Sequence, residues 1–365
     1  MQIKEITDYL ESIAPLNYQE SYDNAGLLTG DGEMECSGII TSLDITESVV
    51  KEAVQKKCNL IVGHHPIIFK GLKRLNGRNY VERTIIAAIK NDIAIYAIHT
   101  NLDNVIEGVN NKIAEKIGLQ NCNILLPKEG TLQKLVTFSP TKSAGAVRNA
   151  LFRAGAGAIG KYDECSFNSE GSGTFRAGEG SNPFVGEIGE RHRENEIRIE
   201  VIFPSLLQSR VIAALKEAHP YEEVAYYIHP LENVQQGVGS GLVGELNKAV
   251  SEEQLLTNLK LSFGIPAIKH TAFLGKQVTK IAVCGGSGIF LLPNAIAAGA
   301  QVYITADIKY HEYFDADGHI LLADIGHYES EQFTIDLLTE FLQQKFPNFA
   351  VLKTEMNTNP VKYFL

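Results

Sequence analysis

Two adjacent histidines, His64 and His65, close a short apolar run in NLIVGHHPIIF (59–69). Leu60, Ile61 and Val62 are aliphatic and largely β-branched, and such a run without polar alternation reads as a strand buried on both faces. Gly63 ends it, and Pro66 blocks any helix from starting through the histidines. In open α/β sheets, ligands bind in the crevice beyond the carboxyl ends of the strands. Neutral imidazoles placed there are good ligands for a borderline divalent metal. Neighbouring residues project in different directions, so the pair suits two adjacent cations better than one. For an isolated HH pair the alternative is one buried, hydrogen-bonded imidazole beside one exposed imidazole, so the rest of the chain has to decide.

Strands and helices alternate around this run. The sequence predicts an amphipathic helix at the start (Ile3, Ile6, Leu10 and Ile13 on one face) and a turn and short strand in YDNAGLLTG. It then predicts a strand over 39–43, a helix over 46–57 with Val49, Val50, Ala53 and Val54 inward, and the histidine-bearing strand. A helix over 80–91 with Ile85, Ile86 and Ile89 inward follows, then a strand over 93–98, HTNLDN (99–104) and a helix over 109–117. That alternation implies a mostly parallel sheet covered by helices. From about Leu132 the pattern becomes strand, helix, Gly-rich tract, strand, helix, strand, an order that suggests a ferredoxin-like α+β module inserted into a host. The host resumes with a strand over 280–284, GGSG (285–288), a helix over 291–298, a strand ending in ADIKYHE, a strand ending in DIGHYESE and a helix over 332–345. The expected organisation is a discontinuous host domain, 1–130 and 234–365, with an insert at 131–233. The two host flanks read as a degenerate internal repeat, a strand and helix leading to two further strands with ligand-type residues at their ends.

Three strand ends then offer ligands: His64 and His65, His99 with Asp103, and His327 with Glu331. At i, i+4 in a helical turn, His327 and Glu331 share one face. A carboxylate can bridge two cations and neutralise charge, which an imidazole cannot do. Singly, Asp103 reads as a helix cap and Glu331 as a first-turn residue beside a positive helix end; together, on one sheet, they read as a metal site. His99 is expected to support the ligands. His311 and Glu312 occupy the equivalent crevice of the second half, as substrate contacts or as ordinary loop residues. GGSG lacks the pattern of a phosphate-binding loop and reads as a tight turn. His219, Glu222 and Glu223 read as turn chemistry around Pro220, and no serine or cysteine stands in a nucleophile motif.

These motifs together, VGHHPIIF, HTNLDN, DIGHYESE, YDNAGL and GGSG, resemble the Nif-three-like dinuclear metal proteins, whose members often carry the name GTP cyclohydrolase 1 type 2 homologue. The resemblance covers nearly the whole chain, and GAGAIGKYDECSF with AHPYEE resembles the PII- or CutA-like insert of the long bacterial members. Tyr22 departs from the pattern, standing where Trp is expected before Asp-Asn. The resemblance implies an α/β host with a PII/CutA-like insert, two divalent cations on His64, His65, Asp103, His327 and Glu331, and a ring-shaped homohexamer.

The expected activity is that of a metal-dependent hydrolase, Glu331 or Asp103 bridging two cations that activate a water. His64 with His327 is expected around one cation and His65 with Asp103 around the other. Mixed nitrogen and oxygen ligation suits zinc first, then manganese or iron, rather than magnesium. The substrate is expected to be a small molecule, a nucleotide if the family name is a guide; the alternative is a non-catalytic ring for metal delivery, sensing or macromolecular interaction. A net charge of −10 argues against sequence-independent nucleic-acid binding. Five scattered cysteines without a CxxC, no signal-peptide pattern and no apolar run of ~20 residues point to a cytoplasmic protein with no membrane span.

Overall fold

The computed structural model describes residues 1–364. The chain forms two compact units, one from Met1–Leu126 with Gly237–Leu365 and one from Pro127–Gln236. In the larger unit, α1 (Ile3–Ile13) buries Ile3, Ile6 and Leu10 completely and leaves Ile13 half-buried. Strands β1 (Gly26–Thr29), β2 (Ile39–Ser42), β3 (Leu60–Gly63) and β4 (Ala94–Ala97) belong to a five-stranded sheet, closed at its far edge by Val351–Lys353. β2, β3 and β4 are parallel and in register, Ser42 opposite Gly63 and Gly63 opposite Ala97, so their carboxyl ends form one level edge. β1 runs antiparallel beyond β4.

Helices α2 (Glu47–Gln55) and α3 (Tyr80–Lys90) cover this sheet, capped by Thr46 on the Val49 N–H and by Asn79 on the Glu82 N–H; such a cap contributes about 1 kcal/mol. Ile40, Ile61 and Ile95 lie fully buried beneath them with Val49, Val50, Ala53, Ile85 and Ala88. Two expected core residues are on the outside: Val54 and Ile89 are 44% and 51% exposed. A helix lying on a sheet buries only a limited stripe, which here runs through Val49–Val50–Ala53 and through Thr84, Ile85 and Ala88, leaving Val54 and Ile89 at its margin. Past β4 come the single turn α4 (Thr100–Asp103), α5 (Val109–Ile117) and the strand β5 (Leu119–Pro127).

The smaller unit carries strands β6 (Leu132–Pro140), β7 (Phe167–Arg176), β8 (Arg191–Pro204) and β9 (Tyr226–Pro230), with helices α6 (Ala144–Arg153) and α7 (Gln208–Ala218). The sheet order is β7-β8-β6-β9, all antiparallel. Its core lies between the sheet and the helices, around Leu135, Val147, Leu151, Ile199, Phe203 and Leu215.

Returning to the larger unit, β10 (Gly239–Ser251), α8 (Glu252–Phe263), β11 (Lys269–His270), β12 (Gln277–Val283), α9 (Leu292–Ala297), β13 (Val302–Thr305) and β14 (Leu321–Asp324) build a six-stranded sheet that also takes in β5. Again three strands, β12, β13 and β14, are parallel and level, and an antiparallel strand flanks the third. The two sheets thus repeat one design, as the sequence pattern suggests. The helix expected over 332–345 is preceded by a separate short one, α10 (His327–Glu331), and starts at Thr334 as α11 (Thr334–Lys345). The expected element order leaves out β5, β10, β11, α8 and the edge strand Val351–Lys353; β10 mixes Gly, Ser and charged residues with few apolar ones, so its strand signal is weak. Among the described residues no helix is long and apolar enough to cross a membrane.

Candidate metal centre

The level strand edges place the chemistry. His64 and His65 follow β3, His99 follows β4, and His327 and Glu331 lie on α10 just past β14. Gly63 is required at the first of these bends, because a Cβ there would sit 2.5 Å from the Ile45 side chain. His64 is completely buried, and its Nδ1 lies 2.8 Å from the Ile98 carbonyl. That carbonyl can only accept, so Nδ1 carries the proton and Nε2 is a bare lone pair. Nε2 has no hydrogen-bond partner and faces the Asp103 Oδ1 at 3.6 Å. Burial, then the neighbouring His65, pushes the His64 pKa down to about 3, so the ring is neutral.

His65 and His327 converge on one carboxylate. Glu331 Oε2 lies 3.0 Å from His65 Nε2 and 3.2 Å from His327 Nε2, and the two nitrogens are 3.4 Å apart. Each ring is fixed from behind, His65 Nδ1 by Asp44 Oδ1 at 2.8 Å and His327 Nδ1 by Asp307 Oδ2 at 2.7 Å. Burial opposes the charge on both rings, but the carboxylates outweigh it, raising His65 to about 10 and His327 to about 9. Glu331 is itself held well below the usual carboxylate range, burial being outweighed by hydrogen bonds from His327 and His65. Asp103 moves the other way, raised well above its ordinary value by burial and by the charge of Glu331.

Ligand atoms of His65, His327 and Glu331 lie within 4.8 Å of one another, as do those of His64, Asp103 and Glu331. The five residues named from sequence therefore meet in one place, with Glu331 common to both groups. The side chains group differently from the expected pairing, His65 with His327 and His64 with Asp103, because the β3 bend turns the adjacent rings toward different strands. His99 forms a third group with His64 and His65. Its Nδ1 is 2.8 Å from Asp23 Oδ1, and Asp23 also accepts from the Thr100 backbone N–H and hydroxyl.

Several contributors escape a sequence reading. Asp44 stands two residues past β2 and Asp307 two residues past β13, at ends that do not correspond in the two halves, and no motif marks either. Within ADIKYHE the residue used is Asp307, whereas His311 is exposed and Glu312 accepts the Lys309 backbone N–H. GGSG is a turn, as expected, and also a wall: Gly286 has φ +60°, and a Cβ there would stand 2.5 Å from Glu331 Oε1. His219 satisfies both ring nitrogens locally, on Phe138 O and the Tyr221 N–H. The site opens on a cavity of about 900 Å³ whose walls include Tyr22, Phe69, Phe290, Lys269 and Ser287. The C-terminal segment also lines it, the Thr358 hydroxyl donating to Asp44 Oδ2 at 2.6 Å and the Asn359 amide to Glu329 Oε1 at 2.9 Å.

The family model for Duf34/NIF3 (NGG1p interacting factor 3) matches residues 1–360. The chain belongs to this family. A Halalkalibacterium halodurans relative named GTP cyclohydrolase 1 type 2 homolog is 37% identical over 364 residues, covering 98% of each chain. A Bacillus subtilis relative of the same name is 35% identical, covering 99% of this chain and 98% of the relative. Among solved structures, a Bacillus cereus protein related to NIF3 superposes with a TM-score of 0.86 at 38% identity, covering 100% of this chain and 99% of that one. A Staphylococcus aureus protein does so with a TM-score of 0.79 at 31% identity and the same coverage. The mixed α/β fold is thus that of the Duf34/NIF3 family, and the His/Asp/Glu groups are ones that could hold a metal ion.

Proposed function

We propose that the strand-end site is a two-cation centre and that the protein is a metal-dependent hydrolase of a small molecule, with a nucleotide as the substrate class. One observation carries the reading: a fully buried, neutral imidazole presents an unpartnered lone pair to a carboxylate oxygen. Burial and Glu331 raise the Asp103 carboxyl, as expected for two acceptors that need a proton or a cation between them, and a cation held there would take that proton's place. Asp44, Asp307 and the Ile98 carbonyl hold the rear nitrogens of the three histidines, the support usual for metal-ligating imidazoles. In this reading His65, His327 and Glu331 would hold one cation, and His64, Asp103 and Glu331 the other. Zinc suits this donor set, with manganese or iron next.

A cation pair held there would supply the Lewis acidity that lowers the pKa of water from 15.7 toward ~7. The protein's own part is to hold ligands and substrate. Asp44 and Asp307 fix ring orientation. The exposed faces of Tyr22, Phe69 and Phe290 offer flat apolar surfaces for a heterocycle at the cavity mouth. The relatives' shared name, GTP cyclohydrolase 1 type 2 homolog, supports a nucleotide substrate. The β-α-β-β-α-β order and β7-β8-β6-β9 sheet support reading the smaller unit as an inserted ferredoxin-like module. All five cysteines are free, which supports a reducing, cytoplasmic setting. A homohexameric ring, from the family resemblance, completes the proposal and is checked by sedimentation.

The test is turnover of a nucleotide panel, GTP included, by zinc- or manganese-loaded protein, alongside His65→Ala and metal-depleted wild type. Turnover that requires metal and falls at least ~100-fold in the variant is expected. Equal turnover by the metal-depleted variant, or none by fully loaded wild type, refutes the hydrolase reading.

A further inference from the structure

The smaller unit holds a cavity of its own, of about 670 Å³, which the metal centre does not use. Its walls are aromatic. Phe175 and Phe184 lie 6.0 and 6.3 Å, centroid to centroid, from Tyr221, and Phe138 lies 6.0 Å from Tyr227. Its charge is one-sided: Glu170, Glu196, Glu222 and Glu223 line it against a single basic group, Arg198. Arg198 is already engaged, its guanidinium 2.7 Å from Glu200 Oε1.

Glu196 is the group at depth, only 8% exposed, and its Oε1 accepts the Tyr221 hydroxyl at 2.9 Å. Burial, then Glu196, holds the Tyr221 phenol above its ordinary pKa, so it remains a donor. β7 leaves room for this carboxylate. A Cβ on Gly173 would lie 2.1 Å from Glu196 Oε2, while one on Gly171 would meet nothing nearer than 4.0 Å. Glycine weakens a strand interior and marks close approach by a ligand or another backbone. The room at Gly173 goes to Glu196, and the bare strand at Gly171 faces the cavity.

An excess of carboxylates and a ring of π faces, negative above and below each ring, both favour a positive guest. A metal ion is the wrong guest, because phenyl rings offer no ligand atoms; the His/Asp/Glu groups close enough to hold one lie in the other unit. We propose that this cavity binds a small organic ammonium ion, its charged head between Glu196 and the rings of Phe175, Phe184 and Tyr221. The reading is independent of the metal-centre assignment.

Isothermal titration of the full-length protein with choline chloride, and with the uncharged isostere in which carbon replaces the nitrogen, tests this. Choline is expected to bind saturably and the isostere at least ~10-fold more weakly. Glu196→Gln should weaken choline binding by about 10-fold or more. Phe184→Leu, at an exposed position, should do so by about 3- to 10-fold, and it decides alone if the first variant does not fold. No saturable binding of choline, equal binding of the isostere, or wild-type affinity in Phe184→Leu overturns the proposal.

Discussion

Asp103→Asn should stabilise the metal-free protein and abolish its stabilisation by metal. The oxygens of Asp103 and Glu331 lie within 4.8 Å in a poorly solvated site. Two full charges at that separation repel by roughly 3–4 kcal/mol at an effective dielectric of about 20. Protonated His65 and His327 attract Asp103 and offset part of this, and its side chain is 27% exposed, so solvent screens more. Replacing the carboxylate by an isosteric amide should therefore relieve roughly 1–2 kcal/mol, a rise of roughly 2–8 °C in the melting temperature of the larger unit. With cation present the sign reverses. Wild type should gain about 2.7 kcal/mol at a free cation concentration 100 times Kd, and the variant little, having lost a ligand. Thermal unfolding in chelator and in zinc, followed by circular dichroism, reads both arms. A lower melting temperature for the variant in chelator, or an undiminished zinc-induced rise, would refute the reasoning.

Asp307→Asn removes the carboxylate that fixes His327 and should weaken metal affinity by ~10–100-fold with little change in fold, read by chelator competition. Gly286→Ala forces a methyl to within 2.5 Å of Glu331 Oε1 at a positive φ; metal content by elemental analysis should fall while the circular dichroism spectrum is kept. Metal-free protein should lose stability as pH rises. The folded-state pKa values of His65 and His327, about 10 and 9, exceed the ordinary 6.5. Their contribution is therefore complete below 6.5 and lost as pH passes through 9 and 10. Urea titrations of chelator-treated protein from pH 6 to pH 10 check this, and stability that increases across the range contradicts the charge state drawn here.

The parallel strands within the two mixed sheets are legible because each is a short aliphatic run, and several are followed by residue types that strands seldom end in. Histidine pairs and an i, i+4 His/Glu turn are uncommon enough to stand out, so His64, His65, Asp103, His327 and Glu331 could be named together. Asp44 and Asp307 could not, since an aspartate after a strand is ordinary turn chemistry until its partner ring is seen. The Ile98 carbonyl that sets the His64 tautomer is backbone, and no residue type announces it. The grouping of these side chains is hidden in the sequence for a similar reason: adjacent side chains diverge, but the neighbouring strand ends decide toward what. Val54 and Ile89 show the limit of periodicity, which finds the apolar face of a helix but not the width of the stripe that the sheet covers.

Anomalous diffraction from crystals soaked in zinc or manganese tests the central claim most directly. Two peaks ~3.5–4 Å apart are expected, one against His65, His327 and Glu331, the other against His64 and Asp103, with Glu331 between them. A fully soaked crystal with no peak at His64 Nε2, or with its metal bound elsewhere in the molecule, would contradict the account.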